Sequence, residues 1–225
     1  MIVINHKSQE KGPQHFSQEI DVRLLDIWRD DIGVMPSVLV CEHEATCRGF
    51  DHVPTFYKYV DNWYKRNLNE RNILAINIKE DGLALPLKEA IEETGLPYDR
   101  FFCFDMAIKE VQQYKKAGLP IATSVSSYGV DYPCGDSLLF DWFPELPVSY
   151  DALYHYCYAG NLYDTLFLGD EKFVAISPEL HDSDFNGKEL RKFWKWCEEK
   201  GFYGLITDYP EKAEVFFNGN EADSR

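Results

Sequence analysis

Short apolar runs alternate along the chain with stretches in which apolar residues recur at helical spacing. The apolar runs are rich in β-branched and aromatic residues, which predicts strands, at 2–5, 17–24, 37–43, 73–79, 100–106, 120–126, 137–143, 173–180 and 203–208. The helical spacing predicts helices near 53–68, 86–94, 107–117, 149–159 and 187–200. Most of the strand runs are continuously apolar, as expected of parallel strands covered by helices. Strands that alternate with helices predict a parallel α/β fold.

The number of predicted strands favours an irregular (β/α)₈ TIM barrel. Nine strands are one more than such a barrel needs, and no helix is predicted between 17–24 and 37–43, so we expect these two to form a hairpin. A doubly wound open sheet is the alternative, but the chain has no G-x-G-x-x-G motif and no P-loop. We expect one domain over residues 1–218 and a frayed tail over 219–225.

Composition and charge narrow the classes of partner. The 225 residues carry a formal net charge of −15, whereas nucleic acids and anionic membranes bind basic surfaces. No apolar run approaches the roughly 20 residues of a membrane span, and the opening "MIVINH" does not resemble a signal peptide. We therefore expect a cytoplasmic protein, a monomer or weak homodimer, that acts on a small molecule.

The six cysteines are scattered and contain no C-x-x-C pair. In a chain of this size without a signal peptide they are expected to be reduced thiols. Cys41, His43 and Cys47 could be considered as zinc ligands, but a fourth ligand and the usual spacing are missing.

Polar residues recur where the predicted strands end. The carboxyl ends of barrel strands meet at one mouth, where active sites of this fold lie. One example is "LAINIKEDGL", in which Asn77 and Lys79 share one face of an otherwise apolar strand. Other polar residues at strand ends are Asn5, His6, Glu19, Asp21, His43, Glu44, Asp105, Ser124, Ser126, Asp141, Glu179, His181 and Asp208. This density predicts a functional site at the mouth.

The stretch "QEIDVR" places two carboxylates on one face of a strand, because Glu19 and Asp21 are two residues apart. Like charges at this range raise one pKa unless a cation neutralises them. Carboxylate oxygens are the ligands that Mg²⁺ and Ca²⁺ prefer. The alternative is a solvated strand edge on which Arg23 pairs with the carboxylates.

Two histidines follow apolar runs at strand ends, His6 and His43. Either one alone is typical of a structural histidine. Together, beside a carboxylate pair, they fit a general acid and a general base.

Five short motifs in this order resemble the superfamily of glycerophosphodiester phosphodiesterases and phosphatidylinositol-specific phospholipases C, and in particular a divergent bacterial branch of it. They are "NHKS", "EID", "VLVCEHE", "NIK" and "GLITDYP". The first resembles the family's His-Arg-Gly, with Lys7 in place of arginine. The third ends in Glu44 where the family has aspartate, and the fourth has Asn77 where the family has a metal-binding glutamate.

The resemblance implies an irregular TIM barrel that hydrolyses a small phosphodiester of the glycerophosphodiester or polyol-phosphate type. It implies catalysis by His6 and His43, and a Mg²⁺ or Ca²⁺ ion on Glu19 and Asp21. Asp105 or Asp141 would replace the carboxylate lost at Asn77. Substrate contacts would come from Lys79, Lys7 and Asn77. Two alternatives remain, a silent barrel that binds a phosphorylated sugar or lipid head group, and a metal-free cyclising phosphodiesterase.

Overall fold

The fold is taken from a computed structural model, which describes residues 1–8, 12–14, 16–25, 28–29, 33–34, 38–42, 54–106, 110–124, 137–141, 172–180, 187–199 and 201–219. The strands are β1 (Ile2–Asn5), β2 (Ser17–Leu25), β3 (Trp28–Arg29), β4 (Gly33–Val34), β5 (Val38–Val40), β6 (Leu74–Ile78), β7 (Phe101–Phe104), β8 (Ile121–Ser124), β9 (Ser137–Asp141), β10 (Lys172–Ile176) and β11 (Gly204–Thr207). The helices are α1 (Phe56–Arg66), α2 (Ala84–Thr94), α3 (Val111–Ala117), α4 (Gly187–Glu199) and α5 (Pro210–Phe217).

Eight of the described strands form a closed ring. Its order is β1, β11, β10, β9, β8, β7, β6 and β2, and the pairing of β1 with β2 closes it. The neighbours are parallel except at β9, which is antiparallel to both β8 and β10. The predicted irregular (β/α)₈ barrel is confirmed.

The predicted hairpin is also confirmed, since β5 lies antiparallel on β2 outside the ring. Two elements were missed, the short β3–β4 hairpin and helix α5. Helix α5 begins directly after the last strand with Pro210 in its first turn, where the missing N–H of proline is tolerated. The predicted helix at 149–159 and the tail at 220–225 lie outside the described residues.

Two of the strands that end earlier than predicted do so for a visible local reason. Strand β7 stops at Phe104 because Asp105 has a φ of 63°, which is not extended backbone. Strand β10 stops at Ile176, and a 3₁₀ turn follows from Pro178 to Leu180. These two ends lie at the mouth of the barrel.

The alternation along the strands separates an inner from an outer apolar core. On β6, Leu74, Ile76 and Ile78 belong to a cluster with α1, α2 and α3, while Ala75 faces the inside of the ring. The inner cluster draws on six strands and consists of Ile4, Ile73, Ala75, Phe102, Phe104, Ala122, Val174 and Ile206. Asn77 shares the inward face with Ala75, above this apolar filling.

Helix α4 packs on the barrel as its sequence predicts. Leu190, Phe193, Trp194 and Cys197 are buried along one stripe, and they cluster with residues of β1, β10 and β11. No helix within the described ranges is long and apolar enough to cross a membrane.

Candidate active site

The mouth of the barrel brings Glu19 and Asp21 together with Asn77 and Lys79. Strands β2 and β6 are in parallel register with Asp21 opposite Asn77. Asn77 Nδ2 donates to Glu19 Oε1 over 2.9 Å, and Lys79 Nζ lies 3.3 Å from Asp21 Oδ1. The polar face of "LAINIKEDGL" therefore meets the predicted carboxylate pair.

The two carboxylates are buried, because Glu19 is 2% and Asp21 0% exposed. The alternative of a solvated strand edge is wrong, since Arg23 instead lies 4.0 Å from Glu80 Oε2. Burial raises the pKa of Glu19, and the charge of Asp21 raises it further. His6, the hydrogen bond from Asn77 and the charge of Lys79 oppose this rise.

His6 lies between two carboxylates. It directly follows β1, and its backbone N–H donates to Thr207 O over 3.1 Å. Its Nδ1 is 3.0 Å from Asp208 Oδ1 and its Nε2 is 3.6 Å from Glu19 Oε2. A proton on Nδ1 that is donated to Asp208 leaves Nε2 as the basic nitrogen on the Glu19 side.

Lys79 links the carboxylate pair to the next strand. Its Nζ lies 3.5 Å from Asp105 Oδ2 as well as close to Asp21. Asp105 therefore lies near the predicted site, and the ammonium of Lys79 connects it to the carboxylate pair. The lysine side chain is 18% exposed, so its charge faces the mouth.

Backbone strain is concentrated at this mouth. Among the described residues, Lys7 and Asp105 are the non-glycine residues with positive φ, at 45° and 63°. A side chain in this region costs roughly 1–2 kcal/mol. Both residues follow strand ends, where strained backbone is often associated with function.

Two contributors were missed as site residues, Asp208 and Glu179. Asp208 lies in the "GLITDYP" motif and Glu179 in "ISPELH", so both belong to the polar strand ends noted above. Glu179 Oε1 accepts hydrogen bonds from the Thr207 hydroxyl and from the backbone N–H of Asp208. Strand-end position was the available signal, but it did not identify their partners. His43, Glu44 and His181 lie outside the described residues, and so does the side chain of Asp141.

The divalent cation that the resemblance implies would need oxygen ligands from this set of side chains. Glu19 Oε2 and Asn77 Oδ1 are buried and have no hydrogen bond from the described residues, which leaves two oxygen ligands available. However, the described part of the chain has no group of three His, Cys, Asp or Glu side chains that would hold a metal. Lys79 also lies against Asp21. The described residues alone therefore do not fit a three-carboxylate metal site.

The sequence matches no protein-family model and no curated protein. A solved glycerophosphodiester phosphodiesterase from Parabacteroides distasonis is 12% identical, with a TM-score of 0.56 over 98% of both chains. This protein has the barrel fold of that phosphodiesterase. A glycerophosphoryl diester phosphodiesterase from the same organism is 13% identical, with a TM-score of 0.48 over 99% of this chain and 88% of the other.

Proposed function

We propose that this protein is a cytoplasmic phosphodiesterase that hydrolyses a small phosphodiester of the glycerophosphodiester or polyol-phosphate type. One observation carries the proposal. The ring of His6 is held between Asp208 and Glu19 at the mouth of a barrel, while Lys79 presents a cation at the same mouth. The barrel fold shared with a glycerophosphodiester phosphodiesterase supports the same reaction class.

His6 supplies the proton chemistry in this proposal. Asp208 accepts the Nδ1 proton and fixes the ring, so that Nε2 can take a proton from an attacking hydroxyl or give one to a leaving alkoxide. The negative charge of Asp208 and Glu19 stabilises the imidazolium that forms. His43 is the proposed partner that performs the opposite proton transfer.

Lys79 supplies a positive charge for the phosphate in this proposal. Its ammonium can stabilise the negative charge that builds on the phosphoryl oxygens in the transition state. Lys7, directly after His6, is the second cation proposed to contact the phosphate. Asn77 is proposed to orient Glu19 through its amide and to offer its free carbonyl oxygen to the substrate or to a divalent cation.

The test is an assay with a glycerophosphodiester and with a chromogenic phosphodiester, each with and without a chelator. We expect turnover by the wild type that falls in both His6→Ala and His43→Ala. Lys88→Ala is the control, because Lys88 pairs with Glu92 on the exposed face of α2. Turnover lost on chelation would support a Mg²⁺ or Ca²⁺ enzyme, and turnover that survives would support the metal-free cyclising alternative.

The absence of turnover on every phosphodiester tested would contradict the proposal. Calorimetry with glycerol phosphate would then test the silent barrel. Binding that is lost in Lys79→Met would support that alternative.

A further inference from the structure

Glu179 is a buried carboxylate for which the proton and charge chemistry above has no use. It lies in the 3₁₀ turn after β10 and is 9% exposed. Burying an ionisable side chain is unfavourable unless its oxygens accept hydrogen bonds. Its Oε1 accepts two, and both donors belong to the residues at the end of β11, Thr207 and Asp208, whereas its Oε2 is buried without a hydrogen bond from the described residues.

These hydrogen bonds continue to His6 by two routes. The backbone N–H of Asp208 is 3.3 Å from Glu179, and the side chain of the same residue is 3.0 Å from His6 Nδ1. Thr207 donates its hydroxyl to Glu179, and its carbonyl oxygen accepts the N–H of His6. Glu179 therefore fixes the segment formed by Thr207 and Asp208. This segment contacts His6 through the carbonyl oxygen of Thr207 and through the carboxylate of Asp208.

The hydroxyl of Thr207 has a fixed direction in this network. Its oxygen accepts the backbone N–H of Tyr209 over 3.1 Å, so its proton is the group directed at Glu179. An ionised carboxylate is purely an acceptor and can receive both this proton and the N–H of Asp208. An apolar residue at 179 would leave the buried Thr207 hydroxyl without an acceptor, which is costly, and would also remove the acceptor of the Asp208 N–H.

We propose that Glu179 is a positioning residue for His6. By fixing the end of β11, it holds the Asp208 carboxylate where it accepts the Nδ1 proton, and so directs Nε2 toward Glu19 and the substrate. The consequence for turnover rests on the proposed phosphodiesterase function. The consequence for the ring itself does not, because it concerns the proton position in the free protein.

The experiment measures the His6 tautomer by ¹⁵N NMR of the neutral ring in the substrate-free protein. We expect the Nδ1–H form in the wild type, a shift toward a mixture of tautomers in Glu179→Ala, and recovery in Glu179→Gln, whose amide oxygen can still accept both hydrogen bonds. Turnover of Glu179→Ala should fall by roughly 10- to 10²-fold, the loss expected from a misplacement of about 1 Å. KM should change little.

Glu110→Ala is the matched control. Glu110 is also buried and accepts a backbone N–H, that of Gly82 over 2.8 Å, and its other hydrogen bond among the described residues comes from Gln113 and not from the end of β11. Its loss should lower stability and leave the His6 tautomer unchanged. A wild-type tautomer in folded Glu179→Ala, or an equal shift in Glu110→Ala, would overturn the proposal.

Thr207→Val provides the test if Glu179→Ala does not fold. It removes the hydroxyl, which donates to Glu179 and accepts the N–H of Tyr209, and it leaves the bond from the Asp208 N–H to Glu179 and the bond from the His6 N–H to Thr207 O. The tautomer should therefore shift partly, and an unchanged tautomer would overturn the proposal. A shift in the tautomer without any phosphodiester turnover would reject the proposed function and leave the positioning role intact.

Discussion

The mouth of the barrel has two halves, and each places a different cationic side chain between one buried and one exposed carboxylate. The histidine half consists of His6, Glu19 and Asp208. The lysine half consists of Asp21, Lys79 and Asp105. In the first half an imidazole lies between two carboxylates, at 3.0 Å and 3.6 Å. In the second half an ammonium takes that place, at 3.3 Å and 3.5 Å.

The difference separates two chemical tasks. An imidazole can gain or lose a proton near neutral pH, so the histidine half can transfer protons. The lysine half instead offers the positive charge of an ammonium that lies against two carboxylates. Hydrolysis of a phosphodiester needs both a proton donor or acceptor and stabilisation of charge on phosphorus.

The largest expected effect comes from the histidine half. His6→Ala should lower turnover by about 10²- to 10⁴-fold, the usual contribution of general acid–base catalysis. The fold should persist, because the side chain lies at the mouth and the apolar cluster inside the ring is left intact. Steady-state kinetics and urea unfolding measure the two effects separately. Wild-type turnover in this variant would remove His6 from the mechanism.

A substitution in the lysine half should mainly lower the free energy of unfolding. Lys79→Met leaves the buried carboxylate of Asp21 without its nearest ammonium, and we expect the free energy of unfolding to fall by about 3 kcal/mol. The double variant Asp21→Asn with Lys79→Met should recover much of this loss, because no buried charge is left uncompensated. Urea unfolding measures both. Lys88→Ala on α2 should stay within about 0.5 kcal/mol of the wild type.

If Lys79→Met were as stable as the wild type, the ammonium would not be the counter-charge of Asp21. The comparison between the halves would then fail on the lysine side. The kinetics of His6→Ala would still test the histidine side.

Asn77 lies where the two halves meet, and Asn77→Glu tests whether the mouth holds a cation. A third carboxylate beside Glu19 and Asp21 should tighten Mg²⁺ or Ca²⁺ binding by about tenfold or more, since one unit charge at 4 Å contributes several kcal/mol near a protein surface. Isothermal calorimetry of both proteins measures this. Equal, negligible heats in both would contradict a metal at this face.

The sequence predicted the polar group on β2 and β6 better than the contact between His6 and Asp208. Glu19, Asp21, Asn77 and Lys79 lie on two strands with strong alternation, so their shared face could be read from a period of two. Asp208 is 202 residues from His6, and their contact depends on how β11 closes the ring beside β1. The alternation within a strand does not specify that register.

The same reason explains why Glu179 was noted and given no role. Its partners lie on the neighbouring strand, 28 residues further along the chain. Asp105 was predicted as a metal ligand from its strand-end position, but its φ of 63° could not be read from the sequence. In the structure its carboxylate lies 3.5 Å from Lys79 Nζ.

The raised pKa of Glu19 gives the histidine half a pH dependence. Because burial makes the folded protein hold this proton more tightly than the unfolded chain, stability falls as pH rises from 4.5, the ordinary pKa, through the higher folded pKa. Glu19→Gln removes this decline and should be more stable than the wild type at pH 7. Urea unfolding between pH 4 and 8 measures it. Glu93→Gln, on the exposed face of α2, is the control, and equal pH slopes in all three proteins would contradict the prediction.

The smallest effect concerns the strained backbone in each half. Lys7→Gly, beside His6, should raise the free energy of unfolding by about 0.5 kcal/mol, because relief of a positive φ exceeds the extra freedom of glycine in the unfolded chain. Asp105→Gly relieves the same strain but also removes the carboxylate 3.5 Å from Lys79, so its net gain should be smaller. Paired urea unfolding curves measure the difference. A larger gain in Asp105→Gly would mean that the contact with Lys79 contributes nothing to stability, and the lysine half would then reduce to the pair of Lys79 and Asp21.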